Sequence, residues 1–299
     1  MGKKIKTSIT AFSLPSFLKR HSIIEVLLRT KLISTDQLVS FNRSSLAYLN
    51  LNDPEPRNVF LKCSFDPDFF SIAKSLIPQS GVFFDLGANY GLCTFGLLPD
   101  LSSVNFHLFE ANESLVRTIE RSTALHKEST FFVNHACISD EDGFSKFHLE
   151  PNQTGQSHVA TSLEKGIEIK NLILDSYCKA NKIDRIDFAK IDLEGHELSA
   201  LKGWGACLRD HIIKSIYIEI MPENQNRYGL KTNAPLKFLE SSGYELFLCK
   251  EEDFVNFGEK PKKYQFETGT LILSKFQARN FPEDFATDVL ALTPENHKS

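Results

Sequence analysis

Two short stretches of this 299-residue chain gather side chains that could do chemistry where apolar runs end. The first is Asp85-Leu86-Gly87-Ala88-Asn89-Tyr90-Gly91. Gly87 lets the chain turn tightly as it leaves a strand, Gly91 lets a helix start close to the sheet, and between them the backbone can approach a ligand. Dinucleotide sites use a different spacing, G-x-G-x-x-G, with phosphates at the helix N-terminus. Here the pattern is Asp-x-Gly-x-Asn-x-Gly. A carboxylate at Asp85 would repel a pyrophosphate, whereas it would suit a cation such as the sulfonium and α-amino group of S-adenosylmethionine. Glu110 lies 25 residues further on, where the run Leu108-Phe109 ends. An acid there can accept both ribose hydroxyls, and hydrogen bonds to a charged acceptor contribute roughly 1.5–3 kcal/mol each.

The second stretch is Lys190-Ile191-Asp192-Leu193-Glu194-Gly195-His196-Glu197. Four ionisable side chains crowd into its last six positions, which is costly unless they are solvated or used. Acids at a helix N-terminus complement the helix dipole. That accounts for Glu194 and Glu197, less well for Asp192, and not for His196. Glu219 interrupts the apolar run Ile216–Ile220, and a buried acid needs a partner. Both strand ends open onto one crevice.

The elements that must position these groups follow an alternation. Apolar runs at 82–86, 104–109, 131–137, 186–191, 213–220, 244–248 and 268–274 are the expected strands, and helices are expected at 91–98, 113–126, 173–181, 196–201 and 234–241. Such alternation predicts a parallel sheet covered on both faces. Residues 143–172 interrupt it with two strand-like runs, 144–149 and 167–172, around a polar loop whose segment 152–158 is a candidate acceptor wall. The polar loop 222–229 is another. Ahead of the sheet, residues 1–40 read as helical or frayed, 46–51 and 59–62 as short strands, and 66–76 as a helix capped by Asp66-Pro67.

Composition sets outer bounds. With 34 basic against 38 acidic residues, the net charge is −4, which opposes a general nucleic-acid binder. The charge is uneven: +6 over residues 1–31 and −10 over the rest. The basic arm carries no apolar h-region of a secretory signal, and peripheral contact with a membrane surface is one use for it. No apolar run is long enough to span a bilayer. The six cysteines have no metal-site spacing and read as reduced thiols of a cytoplasmic protein. The 25 phenylalanines read as core.

DLGANYG, FEAN at 109–112 and KIDLEGHE at 190–197, in that order and at strand ends, resemble the FkbM-type methyltransferases, a branch of the class I S-adenosylmethionine-dependent family. The resemblance covers about residues 45–275. It implies a Rossmann-like α/β fold with a seven-stranded, mostly parallel sheet. The implied divisions are an N-terminal extension at 1–78, a methyltransferase domain at 79–280 and a tail at 281–299. It also implies an O-methyltransferase acting on hydroxyls of sugars, glycans or related small molecules. Carried over by position, Asp85, Gly87, Ala88, Asn89 and Gly91 would line the methionine part of the donor, Glu110 the ribose and Ala111 the adenine.

The acceptor chemistry would fall to Asp192, Glu194, His196 and Glu219. A general base would add about 10²–10⁴-fold. His196 has the pKa nearest neutrality, Asp192 is the alternative, and a magnesium or calcium ion on Asp192 and Glu219 is a third route. The residues leave these three open. The competing readings are an NAD-linked oxidoreductase, opposed by the loop carboxylate, and a donor-binding domain without chemistry. A base-methylating enzyme is opposed by the lack of an Asn/Asp-Pro-Pro-Tyr/Phe sequence.

Overall fold

A computed structural model describes residues 21–151, 153–162, 164–254 and 257–296. Most of the basic arm, residues 1–20, lies outside the described residues, as does Asn152 of the candidate wall. No described helix is long and apolar enough to cross a membrane.

Ahead of the main sheet, helix α1 (His21–Arg29) leads to a hairpin of β1 (Asp36–Phe41) and β2 (Ser45–Asn50). The strand β1 falls in the stretch read as helical or frayed. Its side chains alternate inward and outward, with Val39 and Phe41 buried, which is the strand period. Helix α2 (Pro54–Lys62) takes up 59–62, read from sequence as a strand, because Asp53-Pro54 starts a helix and Val59, Phe60 and Leu61 face its buried side. Helix α3 (Pro67–Leu76) is capped as expected: Asp66 Oδ1 accepts the Phe69 amide at 3.0 Å.

The α/β alternation then begins. It runs through β3 (Val82–Leu86), α4 (Leu92–Leu97), β4 (Asn105–Glu110), α5 (Glu113–Thr123) and β5 (Thr130–His135). The interruption follows as β6 (Cys137–Ile138), β7 (Phe144–His148), β8 (His158–Val159) and β9 (Ile167–Leu172), which form a separate four-stranded sheet. The chain continues with α6 (Leu174–Asn181), β10 (Phe188–Ile191), α7 (Glu197–Lys202), α8 (Gly205–Arg209), β11 (Ser215–Ile220), α9 (Pro222–Arg227) and α10 (Ala234–Ser241). It ends with β12 (Glu245–Leu248), β13 (Lys262–Gln265), β14 (Thr270–Phe276) and β15 (Thr287–Leu292).

The main sheet has nine strands among the described residues, in the order β13-β14-β12-β15-β11-β10-β3-β4-β5. From β11 to β5 neighbours run parallel, and β15 is antiparallel to both β11 and β12. This is the expected Rossmann-like α/β layout, but with nine strands instead of seven, because β13 and β15 join the seven expected runs, and with two further differences in order. The run at 268–274 is a strand, β14, but it lies outside β12. The place between β11 and β12 belongs to β15, within residues expected to be a tail. Its Val289, Leu290, Ala291 and Leu292 are fully buried. Flanked by polar and acidic residues, those four apolar positions are too few to announce a central strand.

The phenylalanines fill both faces of the sheet. On one, Phe69 of α3 meets Phe83, Phe188 and Tyr217 with ring centroids 5.4–6.4 Å apart. On the other, Phe84 stacks on Trp204 at 5.4 Å. Tilted and edge contacts of this kind add about 0.5–1.5 kcal/mol per pair beyond burial. A chain ended at residue 280 should show no cooperative thermal transition. Leu290→Ala should lower unfolding free energy by about 2–5 kcal/mol in urea. Wild-type stability in either variant would contradict the central placement of β15.

Candidate active site

The carboxyl ends of β3 and β10 touch through their backbones. Gly87 has φ +78°, and a Cβ on it would lie 1.9 Å from the Asp192 carbonyl oxygen. The Asp192 amide donates to the Leu86 carbonyl at 3.1 Å. Glycine at 87 is therefore required both by conformation and by space. The amides of Gly87 and Ala88 donate to the Phe109 carbonyl, each at 3.0 Å, which binds the same turn to β4.

Glu110 sits where that turn meets β4. Its Oε2 accepts the Asn89 amide and its Oε1 the Asn112 amide, each at 2.8 Å. Burial pushes its carboxyl up to about 7 against the pull of those backbone donors. A cleft opens beside it, lined by Gly87, Asn89, Glu110 and Ala111 on one wall and Asp192, Leu193, Glu194 and His196 on another. Ala136, Cys137 and Ile138 add an apolar edge, and Thr154, Gly155 and Ser157 cover it from the insertion.

A second cavity of about 400 Å³ adjoins it, and Asn89, Gly155, Asp192 and Glu194 line both. Its other lining residues are Asp53, Pro54, Glu55, Gln153, Gln156 and Glu219, so five acids and no lysine or arginine face it. Asp53 ties the insertion down, since its Oδ2 accepts the Thr154 amide at 3.0 Å and the Thr154 hydroxyl at 2.5 Å.

The acids repel one another. Oxygens of Asp192, Glu194 and Glu219 lie within 4.8 Å of each other, a spacing one divalent cation could bridge. The Asp192 charge, then burial, raises the proton affinity of Glu219. Burial, then Asp192, pushes Glu194 up to about 8, although Asn224 donates to its carboxylate at 2.8 Å. Lys190 Nζ donates to Asp192 at 2.8 Å. Burial opposes the Lys190 charge, but Asp192, Cys93 and Asp85 outweigh it and raise its pKa.

Of the expected donor residues, Gly87, Asn89, Glu110 and Ala111 line the first cleft. Ala88 and Gly91 shape the turn without lining it, Gly91 as the left-handed residue ahead of α4. Asp85 is fully buried, accepts the Thr94 hydroxyl at 2.7 Å, and lies beside Lys190 in the strand register. It lines neither cavity: Thr94 meets its Oδ2, its Oδ1 is buried with no hydrogen-bond partner, and the nearby Lys190 charge offsets part of the cost of its burial.

Asp192 and Glu194 stand at the shared wall and Glu219 in the second cavity, but His196 borders only the first. Burial lowers the His196 pKa, which favours a neutral imidazole, and its Nε2 has no partner. The candidate wall at 222–229 is turned inward. Asn224 reaches Glu194, Arg227 donates to the Glu194 carbonyl at 2.8 Å, and Gln225 is fully buried. Gln153 and Gln156 of the other candidate wall do face the cavity. Asp53 and Glu55 were not anticipated, because an acid beside proline at a helix start carries no sign of a site more than a hundred residues away.

A family model described as the methyltransferase FkbM domain matches residues 85–246. Comparison with curated proteins finds no match. Similar solved structures include precorrin-6y C5,15-methyltransferase from Geobacter metallireducens, with 11% identity over 75% of this chain and 84% of that one, TM-score 0.37. A TehB-like SAM-dependent methyltransferase from Corynebacterium glutamicum has 12% identity over 74% and 92%, TM-score 0.37. TrmK from M. capricolum, in complex with S-adenosylhomocysteine, has 11% identity over 71% and 68%, TM-score 0.34.

The raised carboxyls carry a stability signature. A proton held more tightly in the folded than in the unfolded chain stabilises below the ordinary glutamate range near 4.3 and is lost as pH rises through the folded value. Thermal stability of the ligand-free protein should therefore fall between pH 6 and 9. Glu194→Gln should flatten that fall, and an unchanged pH dependence in that variant would contradict the crowding described.

Proposed function

We propose, for a chain that belongs to the FkbM methyltransferase family over more than half its length, that the acceptor is a hydroxyl of a sugar, glycan or related small molecule seated in the acidic cavity. The enzyme is an S-adenosylmethionine-dependent methyltransferase. The observation that carries the proposal is the wall common to the two cavities, formed by Asn89, Gly155, Asp192 and Glu194. A methyl group can pass only where donor and acceptor meet, and alignment supplies up to roughly 7–11 kcal/mol of the barrier reduction.

The first cleft suits the donor. Glu110 would accept the ribose hydroxyls with lone pairs its two backbone donors leave free, and Ala111 and Ile138 offer an apolar seat for the base. When bound, S-adenosylmethionine supplies a methyl group on a positively charged sulfur. The Asp192 carboxylate at the shared wall would take the acceptor's proton as its oxygen is alkylated, with Lys190 holding that carboxylate in place. Glu194 and Glu219 would hydrogen-bond neighbouring hydroxyls, and a protonated acid among them serves as donor. Neutral His196 belongs on the donor side.

The cavity's charge separates acceptor classes. Five acids and two glutamines can hydrogen-bond a polyol, whereas a phosphate needs cations that the lining lacks. The same feature favours a carbohydrate over a nucleic acid.

S-adenosylhomocysteine at ~100 times its dissociation constant should stabilise the protein by about 2.7 kcal/mol, and NAD should not. Glu110→Gln should weaken that ligand by about 10–100-fold in calorimetry. Labelled methyl transfer should appear on sugars or polyols and not on RNA. Asp192→Asn should then lose about 10²–10⁴-fold in rate while binding S-adenosylhomocysteine as before. Transfer to RNA alone, or full activity of Asp192→Asn, would overturn the reading.

A further inference from the structure

We propose that Glu197 is a positioning residue for the donor cleft, acting through the backbone of the turn that carries Asp192, Leu193, Glu194 and His196. The proposal rests on the reading of the first cleft as the donor site. By position alone Glu197 looks like an acid placed to complement a helix dipole. Its side chain does something more particular. It is 2% exposed, and its Oε1 accepts two amides from the turn ahead of its own helix, Leu193 and Gly195, each at 3.0 Å. Its Oε2 accepts the Gln225 side-chain amide at 2.5 Å.

The turn needs such a pin. Glu194 has φ +54° and Gly195 φ +102°, both left-handed, and a non-glycine side chain rarely holds that conformation unaided. A Cβ at 195 would lie 2.3 Å from the Asn224 carbonyl oxygen, so the turn is also wedged against α9. No other hydrogen bond serves the Leu193 and Gly195 amides among the described residues. With Glu197 gone, two buried donors lose their acceptor and the turn loses the group that fixes its shape. Leu193, Glu194 and His196 line the donor cleft, so the loss is read there.

Gln225 allows charge and geometry to be separated. It is fully buried, and its Oε1 has no partner. In Glu197→Gln the new side-chain oxygen can keep both backbone amides. Gln225 can then turn its amide over and accept from the new nitrogen. Glu197→Ala leaves all three donors unmet.

The test is calorimetric titration with S-adenosylhomocysteine, together with hydrogen exchange at Leu193 and Gly195 and a thermal melt. Glu197→Ala should weaken binding about 10-fold or more and lose protection at both amides. Glu197→Gln should bind within about 3-fold of the unsubstituted protein and keep that protection. Gln225→Ala, which spares the two backbone bonds, should fall between them and decides the matter if Glu197→Ala does not fold. Asp253→Asn removes another buried acid, one bonded to Thr287 and bordering neither cavity, and should lower the melting temperature without changing affinity. Unchanged affinity in Glu197→Ala, or Glu197→Gln binding as weakly as Glu197→Ala, would overturn the proposal. If the unsubstituted protein does not bind the ligand, the donor-site reading itself fails and the proposal falls with it.

Discussion

The backbone of Gly87 lies against the carbonyl of Asp192, and the arrangement of the site follows from that contact. No side chain fits between them, because a single added carbon would overlap the oxygen. The turn after β3 and the turn after β10 therefore pack backbone against backbone. One turn presents the backbone beside Glu110 and the other presents Asp192 and Glu194. Two cavities with different linings consequently share one wall.

Keeping acids together at that wall carries a cost. The Asp192 charge raises the proton affinity of Glu194 and Glu219, and Lys190 answers only part of the charge. On the function proposed above, these acids are kept at the wall for the acceptor. The surrounding structure supports the arrangement from several directions. Helix α9 directs Asn224 and Arg227 onto Glu194, Glu197 fixes the turn from below, and Asp53 ties the insertion over both cavities. Asp53, Pro54 and Glu55 precede the family-matched segment. Selectivity among acceptors would then sit partly outside the part of the chain that marks the family.

What could be read from the sequence was what chain proximity encodes. Gly87, Asn89, Glu110 and Ala111 stand at or just after strand ends, and each lines the first cleft. The strands of the parallel half are continuous apolar runs, and periodicity finds them. The burial of Asp85 was not legible, because sequence shows a carboxylate near a turn but not that it lies within the strand, behind the wall of the cleft. Glu197 was legible as an acid at a helix start, but the two amides it accepts belong to a left-handed turn that only the folded chain displays. The strand β15 was hidden for a related reason: its partners are β11 and β12, and antiparallel insertion between two earlier strands leaves no local mark. Asp53 and Glu55 reach the cavity through packing across more than a hundred residues of chain.

A crystal structure with S-adenosylhomocysteine would test the shared wall most directly. The ribose should lie against Glu110, the base beside Ala111 and Ile138, and the sulfur should face the opening between Asn89, Gly155 and Asp192, toward the acidic cavity. A ligand bound in the first cleft with its sulfur turned away from that opening, or bound elsewhere on the protein, would contradict that arrangement.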